Sequence, residues 1–253
     1  MSTASISSRS LFEESRLRES AKLCSRLLWA LVVLFACAAR VPGYCPVPAL
    51  RANGEFFKSD VIVVGTVLTV REVSASGDDP GGWYYGLQIN ETFRGTARER
   101  FTVYTENSSG RFPLRQGETY LLFARWENGR YEIGNCGNSE LLSRATKSIQ
   151  ILKNLKAGRQ PTEIEGWVVG ETSGIDVSGV RVSIRGVARG YKAVTDKKGW
   201  LHLRVPPGQY SVDFSTNDYY PKGDDMFWYK PDNFTVHPGE CASLQFVSAR
   251  HRR

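Results

Sequence analysis

The sequence predicts an all-β protein with one flanking helix, in which a small closed barrel is followed by an antiparallel sandwich. Two series of short runs rich in β-branched and aromatic residues carry this prediction, one over residues 61–134 and one over residues 162–247. A single segment of helical periodicity separates the two series. Five strands of the first spacing favour a barrel, because closure removes the exposed edges of a sheet.

Residues 1–38 resemble an export signal. Five basic residues precede the apolar run Leu27–Ala39, which is shorter than the roughly 20 residues needed to cross a bilayer core. Its length suits the apolar region of a signal peptide, and Ala36-Cys37-Ala38 supplies the small residues for cleavage after Ala38. The alternatives are a signal anchor and a lipoprotein signal in which a lipidated Cys37 begins the mature chain. We therefore expect a secreted or cell-envelope protein, which meets a membrane through a lipid anchor if Cys37 is lipidated.

The charge of the chain gives no sign of a nucleic-acid partner. From residue 39 onward, 28 Lys and Arg stand against 23 Asp and Glu, and the terminal Arg250, Arg252 and Arg253 supply three of the five excess charges. The remaining charges of both signs are interspersed, as on an ordinary soluble surface. A nucleic-acid binder should show a basic stripe, and this sequence has none.

The first domain is predicted over residues 39–157 and its helix over Ser139–Ala157. The glycine Gly65 lies inside the first strand, where a bulge or barrel corner needs a residue without a side chain. Asn128-Gly129 is a strong hairpin signal. Ser139 is the predicted N-cap of the helix and Gly158 its stop. The predicted strands are Val61–Val70, Trp83–Ile89, Arg100–Glu106, Glu118–Trp126 and Arg130–Gly134.

The second domain is predicted over residues 162–253, after a polar linker at residues 158–161 and with a basic tail at its end. Short strands at intervals of eight to twelve residues are typical of an antiparallel sandwich. Glycines in Asp196-Lys197-Lys198-Gly199 and Pro206-Pro207-Gly208 mark the turns. The predicted strands are Thr162–Val169, Val180–Ile184, Tyr191–Thr195, Trp200–Val205, Gln209–Phe214 and Cys241–Val247.

Several motifs of the first domain together resemble a netrin-like module, the barrel shared by tissue inhibitors of metalloproteinases, netrins and complement proteins. The motifs are Cys45, the Ser-Asp-Val-Ile-Val-Val-Gly run from Ser59, Glu91–Gly95, Gly117–Phe123 and Cys136. The resemblance covers residues 45 to about 155. It implies an OB-type barrel with flanking helices and a disulfide between Cys45 and Cys136, which leaves Cys241 as the odd thiol.

The resemblance also raises inhibition of metalloproteinases, and the sequence argues against that mechanism. In those inhibitors the zinc-chelating cysteine is the first residue of the mature chain and begins a Cys-x-Cys motif. Here the expected mature start, Ala39, lies six residues before Cys45, and Cys45 is followed by Pro46 and Val47. A protease inhibitor built on this barrel would need another contact surface.

The second domain resembles a carboxypeptidase regulatory-like module. The resemblance lies in the strand Ile164–Val169, in the Thr-Asp-x-x-Gly turn from Thr195 and in the Pro-Pro-Gly-x-Tyr corner from Pro206. It implies a transthyretin-like Greek-key sandwich of seven strands that serves as an accessory or structural unit, and it supplies no catalytic residues.

An aromatic loop within the second domain is the predicted partner-binding element. The segment Asn217–Pro231 mixes five aromatic rings with charged residues. Flat rings bury a large area at low entropic cost, so the loop suits a protein or glycan partner. The alternative is that half of the rings cover the sandwich core. The rings belong to Tyr219, Tyr220, Phe227, Trp228 and Tyr229.

The search for catalytic chemistry gives no catalytic residue, metal ligand set or cofactor motif. His202, His237 and His251 share no metal-ligand spacing, and the acidic pairs Asp78-Asp79 and Asp224-Asp225 lie in turn-rich loops. We therefore predict an exported, non-enzymatic binding or scaffold protein. The alternatives are a protease inhibitor and, third, a hydrolase that uses scattered groups such as Asp224, Asp225 and His237.

Overall fold

The computed structural model describes residue 45 and residues 50–77, 81–170, 178–213 and 233–248, the last three ranges without the side chains of residues 169, 170, 213 and 246–248. The N-terminal part of this region holds helices α1 (Ala52–Phe56) and α2 (Thr146–Lys156) and six strands. The strands are β1 (Val61–Val73), β2 (Gly82–Arg94), β3 (Arg100–Glu106), β4 (Thr119–Glu127), β5 (Arg130–Glu132) and β6 (Glu140–Leu141).

Strands β1 to β5 form a closed barrel. Their order is β1-β2-β3-β5-β4, and β4 pairs back onto β1. Among these pairs only β3–β5 is parallel. This order and the single parallel pair are those of an OB-type barrel, so the predicted barrel is confirmed.

Two local predictions explain how the barrel closes. The β1–β2 register shifts between Val64 and Gly65, and a side chain at Gly65 would lie 3.3 Å from the Gln88 carbonyl oxygen. The predicted bulge is therefore present, and it bends β1 so that it can pair with both neighbours. At the β4–β5 hairpin, Asn128 and Gly129 have φ angles of 52° and 77°, as a type I′ turn requires.

The barrel has an inner and an outer core because successive side chains of a strand point to opposite faces. Val61, Val63 and Val67 of β1 point into the barrel with side chains from the other strands. Ile62 and Val64 point outward, where Leu121 and Phe123 of β4 join them against α1 and α2. The two helices therefore cover the outer face of β1 and β4.

The start of the long helix was predicted wrongly. Helix α2 begins at Thr146, and the Ser139 hydroxyl accepts a hydrogen bond from the Phe123 backbone N–H at 2.9 Å. The intervening β6 pairs with β4 at Tyr120 and Leu121. Apolar spacing alone did not distinguish this added strand from a first helical turn. The predicted stop is correct, since Gly158 follows the helix with a φ of 68°.

The C-terminal part is a sandwich of two sheets. One sheet has the order β10-β7-β13, with β7 and β13 parallel, and the other has the order β12-β11-β8-β9. Their facing side chains, including Ile164, Val182 and Leu244, form one buried core. The strands are β7 (Glu163–Gly170), β8 (Arg181–Gly186), β9 (Gly190–Val194), β10 (Trp200–Arg204), β11 (Gly208–Asp213), β12 (Asn233–Val236) and β13 (Cys241–Ser248). Strand β12 was not predicted.

Barrel and sandwich meet at a polar contact that we call the α1 junction, formed by Arg51, Asn53, Glu163, Glu165 and Gly239. Arg51 lies 3.2 Å from a Glu163 carboxylate oxygen and 3.0 Å from one of Glu165, and both carboxylates are buried. The Asn53 amide donates a hydrogen bond to the Gly239 carbonyl at 2.9 Å. The junction thus fixes α1 to β7 and to the turn before β13.

No helix among the described residues is long and apolar enough to cross a membrane.

Candidate functional site

The disulfide between Cys45 and Cys136 is present. It ties the segment before α1 to the segment after β5, across 91 positions of the chain, with the two Cα atoms 5.5 Å apart. Cys241 is buried in β13, and burial raises the pKa of its thiol well above the ordinary value. Cys241 therefore stays a protonated, shielded thiol.

The aromatic end of the barrel, formed by Phe101, Trp126 and Tyr131, is the best candidate for a binding site. These residues lie on β3, β4 and β5 at the end of the barrel that carries the β4–β5 hairpin. Trp126 is 55% exposed, whereas Phe101 and Tyr131 are half-buried and pack onto the barrel core. An exposed tryptophan of this kind is unusual, because tryptophan is highly buried on average.

The neighbours of Trp126 hold its ring in one place. Its ring contacts that of Tyr131 edge-to-face, with centroids 4.8 Å apart, and Tyr131 in turn lies 4.8 Å from Phe101. The Trp126 backbone N–H donates a hydrogen bond to the Asp60 carboxylate at 2.6 Å. Since Trp126 and Tyr131 are also cross-strand partners, the orientation of the exposed ring is set before a ligand arrives.

A second aromatic surface, on the outer face of β2 and β3, is already covered by the protein itself. The Arg130 guanidinium lies 3.5 Å from the ring centroid of Tyr104, and that of Arg71 lies 4.8 Å from Tyr84. The buried Tyr104 hydroxyl donates a hydrogen bond to the Gly81 carbonyl at 2.7 Å. Arg130 is further paired with Glu132 at 2.8 Å. These rings stabilise the barrel wall and offer no free face comparable with that of Trp126.

The structure separates the histidines that the sequence analysis considered. His202 lies on β10, 3.2 Å from the buried Glu163 carboxylate at the α1 junction. His237 stacks on Phe57, with ring centroids 5.0 Å apart. Within the described ranges, no three His, Cys, Asp or Glu residues are grouped so that they could hold a metal ion.

Most of the predicted binding residues lie outside the described residues. These are the aromatic loop residues Tyr219, Tyr220, Phe227, Trp228 and Tyr229, the acidic pairs Asp78-Asp79 and Asp224-Asp225, and Cys37 and His251. The predictions that rest on them stay predictions.

Sequence reasoning missed Trp126 as a surface residue. It was placed at the end of a strand, where alternation puts it in line with the inward-pointing Tyr120, Leu122 and Ala124. The Asn128-Gly129 turn two residues later was the available signal, because a hairpin turn marks the end of the barrel. A residue that points inward at that position lies at the mouth and not in the core.

Comparisons with known proteins give only distant structural similarity and no family. No family model matches the chain, and no curated protein matches it. Solved structures with similarity include a DUF3823 family protein from Bacteroides uniformis, at 17% identity over 35% of this chain and 43% of that protein, with a TM-score of 0.24. The Bacillus anthracis TIE protein is 10% identical over 76% of this chain and 35% of that protein, with a TM-score of 0.29.

BcpA, the major pilin subunit of Bacillus cereus, is 10% identical over 79% of this chain and 62% of its own, with a TM-score of 0.27. The chain thus spans less than two thirds of the length of each of these three proteins. The resemblances to netrin-like and carboxypeptidase regulatory-like modules stay predictions.

Proposed function

We propose that this protein is an exported, non-enzymatic binding or scaffold protein that recognises a protein or a glycan. The observation that carries the proposal is the exposed, pre-oriented ring of Trp126 at the aromatic end. Aromatic anchors of this kind dominate the binding energy of many recognition surfaces.

The disulfide supports the exported location. Structural disulfides persist in oxidising compartments and are rare in the cytosol of mesophiles. The Cys45–Cys136 bond therefore agrees with the export signal predicted over residues 1–38.

The α1 junction supports a role as a scaffold. Buried charged groups are tolerated only where they are paired, and Arg51 pairs with both Glu163 and Glu165. The Asn53 amide and the Gly239 carbonyl add a buried hydrogen bond across the same contact. Such a contact holds barrel and sandwich in one relative orientation, so that a partner bound at the aromatic end is presented at a fixed distance from the sandwich.

The test is capture of a partner by the immobilised exported protein from extracellular and envelope fractions of its own source. We expect Trp126→Ala to reduce capture at least about tenfold, as loss of an aromatic anchor does. Val194→Ala is the matched control, because Val194 is 59% exposed on the sandwich edge strand β9. Equal capture by the wild type and Trp126→Ala would contradict the proposed site.

Assays for hydrolysis and for protease inhibition test the class of function. We expect neither activity. Turnover of a substrate that one acidic or histidine substitution abolishes, without loss of folding, would show an enzyme instead. Stoichiometric inhibition of a protease would favour the alternative of an inhibitor built on the barrel.

A further inference from the structure

We infer that the aromatic end binds an uncharged glycan, with one sugar ring stacked on Trp126. The inference rests on the proposed function and narrows its partner from a protein or a glycan to a neutral sugar chain.

The size of the exposed aromatic surface argues for a small, ring-shaped ligand. A large aromatic side chain presents about 150–250 Å² when it is fully exposed, so 55% exposure leaves Trp126 with on the order of 100 Å². A stable protein interface needs about 800 Å² on each side. Because Phe101 and Tyr131 are half-buried, they add little to the free face. The exposed area of one ring is enough to stack a sugar ring, but it is small for a protein interface.

The polar group beside Trp126 is a hydrogen-bond acceptor, the carboxylate of Asp60. The exposed Asp60 uses one carboxylate oxygen to accept the Trp126 backbone N–H, which leaves further acceptor capacity on the carboxylate. Arg125 and Glu127, the neighbours of Trp126 in β4, point to the opposite face of the strand. Sugar hydroxyls can donate hydrogen bonds to the Asp60 carboxylate, so Asp60 complements the edge of a sugar ring stacked on the indole.

The charges at this end favour a neutral sugar over an acidic one. Asp60 would repel carboxylated or sulfated sugars at close range. Arg130 of the hairpin is paired with Glu132 and lies over the ring of Tyr104, on the outer face of β3. The exposed Arg98 and Arg100 come just before Phe101 in the sequence. In the sheet, β5 lies between β3 and β4, so these two arginines are one strand further from Trp126 than Tyr131 is.

The rigidity of the ring lowers the entropic penalty of binding. Immobilising a side chain on binding costs about 0.5–1.5 kcal/mol, and the packing of Trp126 on Tyr131 has largely ordered it beforehand. Stacking on a fixed ring suits weak, multivalent glycan recognition, in which each site contributes modestly.

The experiment measures dissociation constants of the full exported chain for soluble hexasaccharides by calorimetry. The neutral probes are cellohexaose, chitohexaose with acetylated amines, xylohexaose and maltohexaose, and the acidic probe is a hexamer of galacturonic acid. We expect at least one neutral probe to bind and the acidic probe to bind at least about tenfold more weakly.

Three substitutions at one position separate stacking from general hydrophobic contact. Trp126→Phe keeps a flat ring and should weaken binding only about threefold, whereas Trp126→Ala and Trp126→Leu should weaken it at least about tenfold. Trp200→Phe is the control, because Trp200 stacks on Trp167 in the sandwich. Thermal unfolding of each variant checks that the fold is kept.

The outcomes also separate this inference from the proposed function. If Trp126→Leu binds sugar as well as the wild type, or if the acidic hexamer binds best, the inference is wrong. If no neutral probe binds at millimolar concentration while capture of a protein still depends on Trp126, the inference of a glycan ligand is wrong and the proposed function stands. If neither sugar binding nor protein capture is weakened by Trp126→Ala, both the inference and the proposed site are wrong.

Discussion

The barrel and the sandwich solve the problem of exposed sheet edges in different ways. The barrel closes through the β1–β4 pair, and the disulfide ties its N-terminal segment to the region after β5. Among the described residues the sandwich keeps open edges: β9 and β12 end one sheet, and β10 and β13 end the other. At the open side, Val194 on β9 and Val187 in the preceding turn are 59% and 91% exposed. The barrel is thus constrained by closure, and the sandwich depends on its core and on the α1 junction.

Loss of the disulfide is expected to change the stability of the barrel more than any other substitution considered below. Replacing Cys45 and Cys136 together by serine frees a loop of 91 residues, and the chain-entropy model predicts a loss of about 4–5 kcal/mol in the free energy of unfolding. Denaturant unfolding followed by the barrel tryptophans should show the loss.

Reducing agent provides the control for this prediction. It should destabilise the wild type by a similar amount and leave the double serine variant unchanged. A loss confined to the sandwich would contradict the assignment of the bond to the barrel.

Substitution of Arg51 is expected to give the second largest loss of stability, and it tests whether barrel and sandwich unfold together. Arg51→Ala leaves the buried Glu163 carboxylate with His202 and Arg204, and the buried Glu165 carboxylate with the Ser243 hydroxyl. Breaking a buried pair costs about 3–5 kcal/mol, and because the Arg51 side chain is half-exposed we expect about 2–3 kcal/mol.

Calorimetry distinguishes coupling from a general loss of stability. In the wild type we expect barrel and sandwich to unfold together, and in Arg51→Ala we expect two separate transitions. Arg51→Lys is the matched control, because it keeps the charge but cannot reach both carboxylates with a planar fork. We expect its stability to lie between the other two, and a single unshifted transition in Arg51→Ala would contradict the coupling.

Glu55 gives a smaller effect that depends on pH. Burial raises the pKa of this carboxyl, while hydrogen bonds from Asn138 and the charges of Arg125 and Lys58 oppose the shift. The folded state then holds the proton more tightly than the unfolded state. The stabilising contribution is complete below the ordinary value of about 4.5 and is lost as the pH rises through the folded pKa.

Glu55→Gln removes this titration. The stability of the wild type relative to Glu55→Gln should therefore fall as the pH rises above about 4.5. Urea midpoints measured every half unit between pH 4 and pH 8 give the difference. A difference that is constant over this range, or one that increases with pH, would show that burial does not dominate.

The sequence predicted those features that depend on a few adjacent residues. Asn128-Gly129 and Gly158 adopt positive φ angles, and the structure has a hairpin and a helix end there. Gly65 lies at the bulge, where the Gln88 carbonyl approaches closely. The short helix α1 was missed because five residues give too few turns for a periodic pattern. Strand β12, with four residues, was missed for the same reason.

The α1 junction and the aromatic end could not be predicted because they join distant parts of the chain. Arg51 and Glu163 are 112 positions apart, and the sequence around either residue does not indicate that the other is its partner. The glutamates of β7 alternate with apolar residues, which by itself indicates an exposed face. Only their pairing with Arg51 and with Ser243 shows why that face is buried.

The smallest expected effect on stability concerns the open edge of the sandwich. Val194 lies at the end of β9, the edge strand next to β8, and its side chain is largely exposed. Exposed apolar residues on an edge strand favour pairing with another chain, and natural proteins oppose this with charges, lysine above all. Val194→Lys should change the free energy of unfolding by less than about 0.5 kcal/mol, since the site is a surface position. It should also reduce concentration-dependent self-association in sedimentation velocity experiments.

Val70→Lys on the barrel strand β1 is the matched substitution, because Val70 is also exposed but its strand is paired with β2 there. We expect Val70→Lys to leave self-association unchanged. Equal effects of the two substitutions would mean that the open edge of the sandwich and the closed wall of the barrel do not differ in this respect.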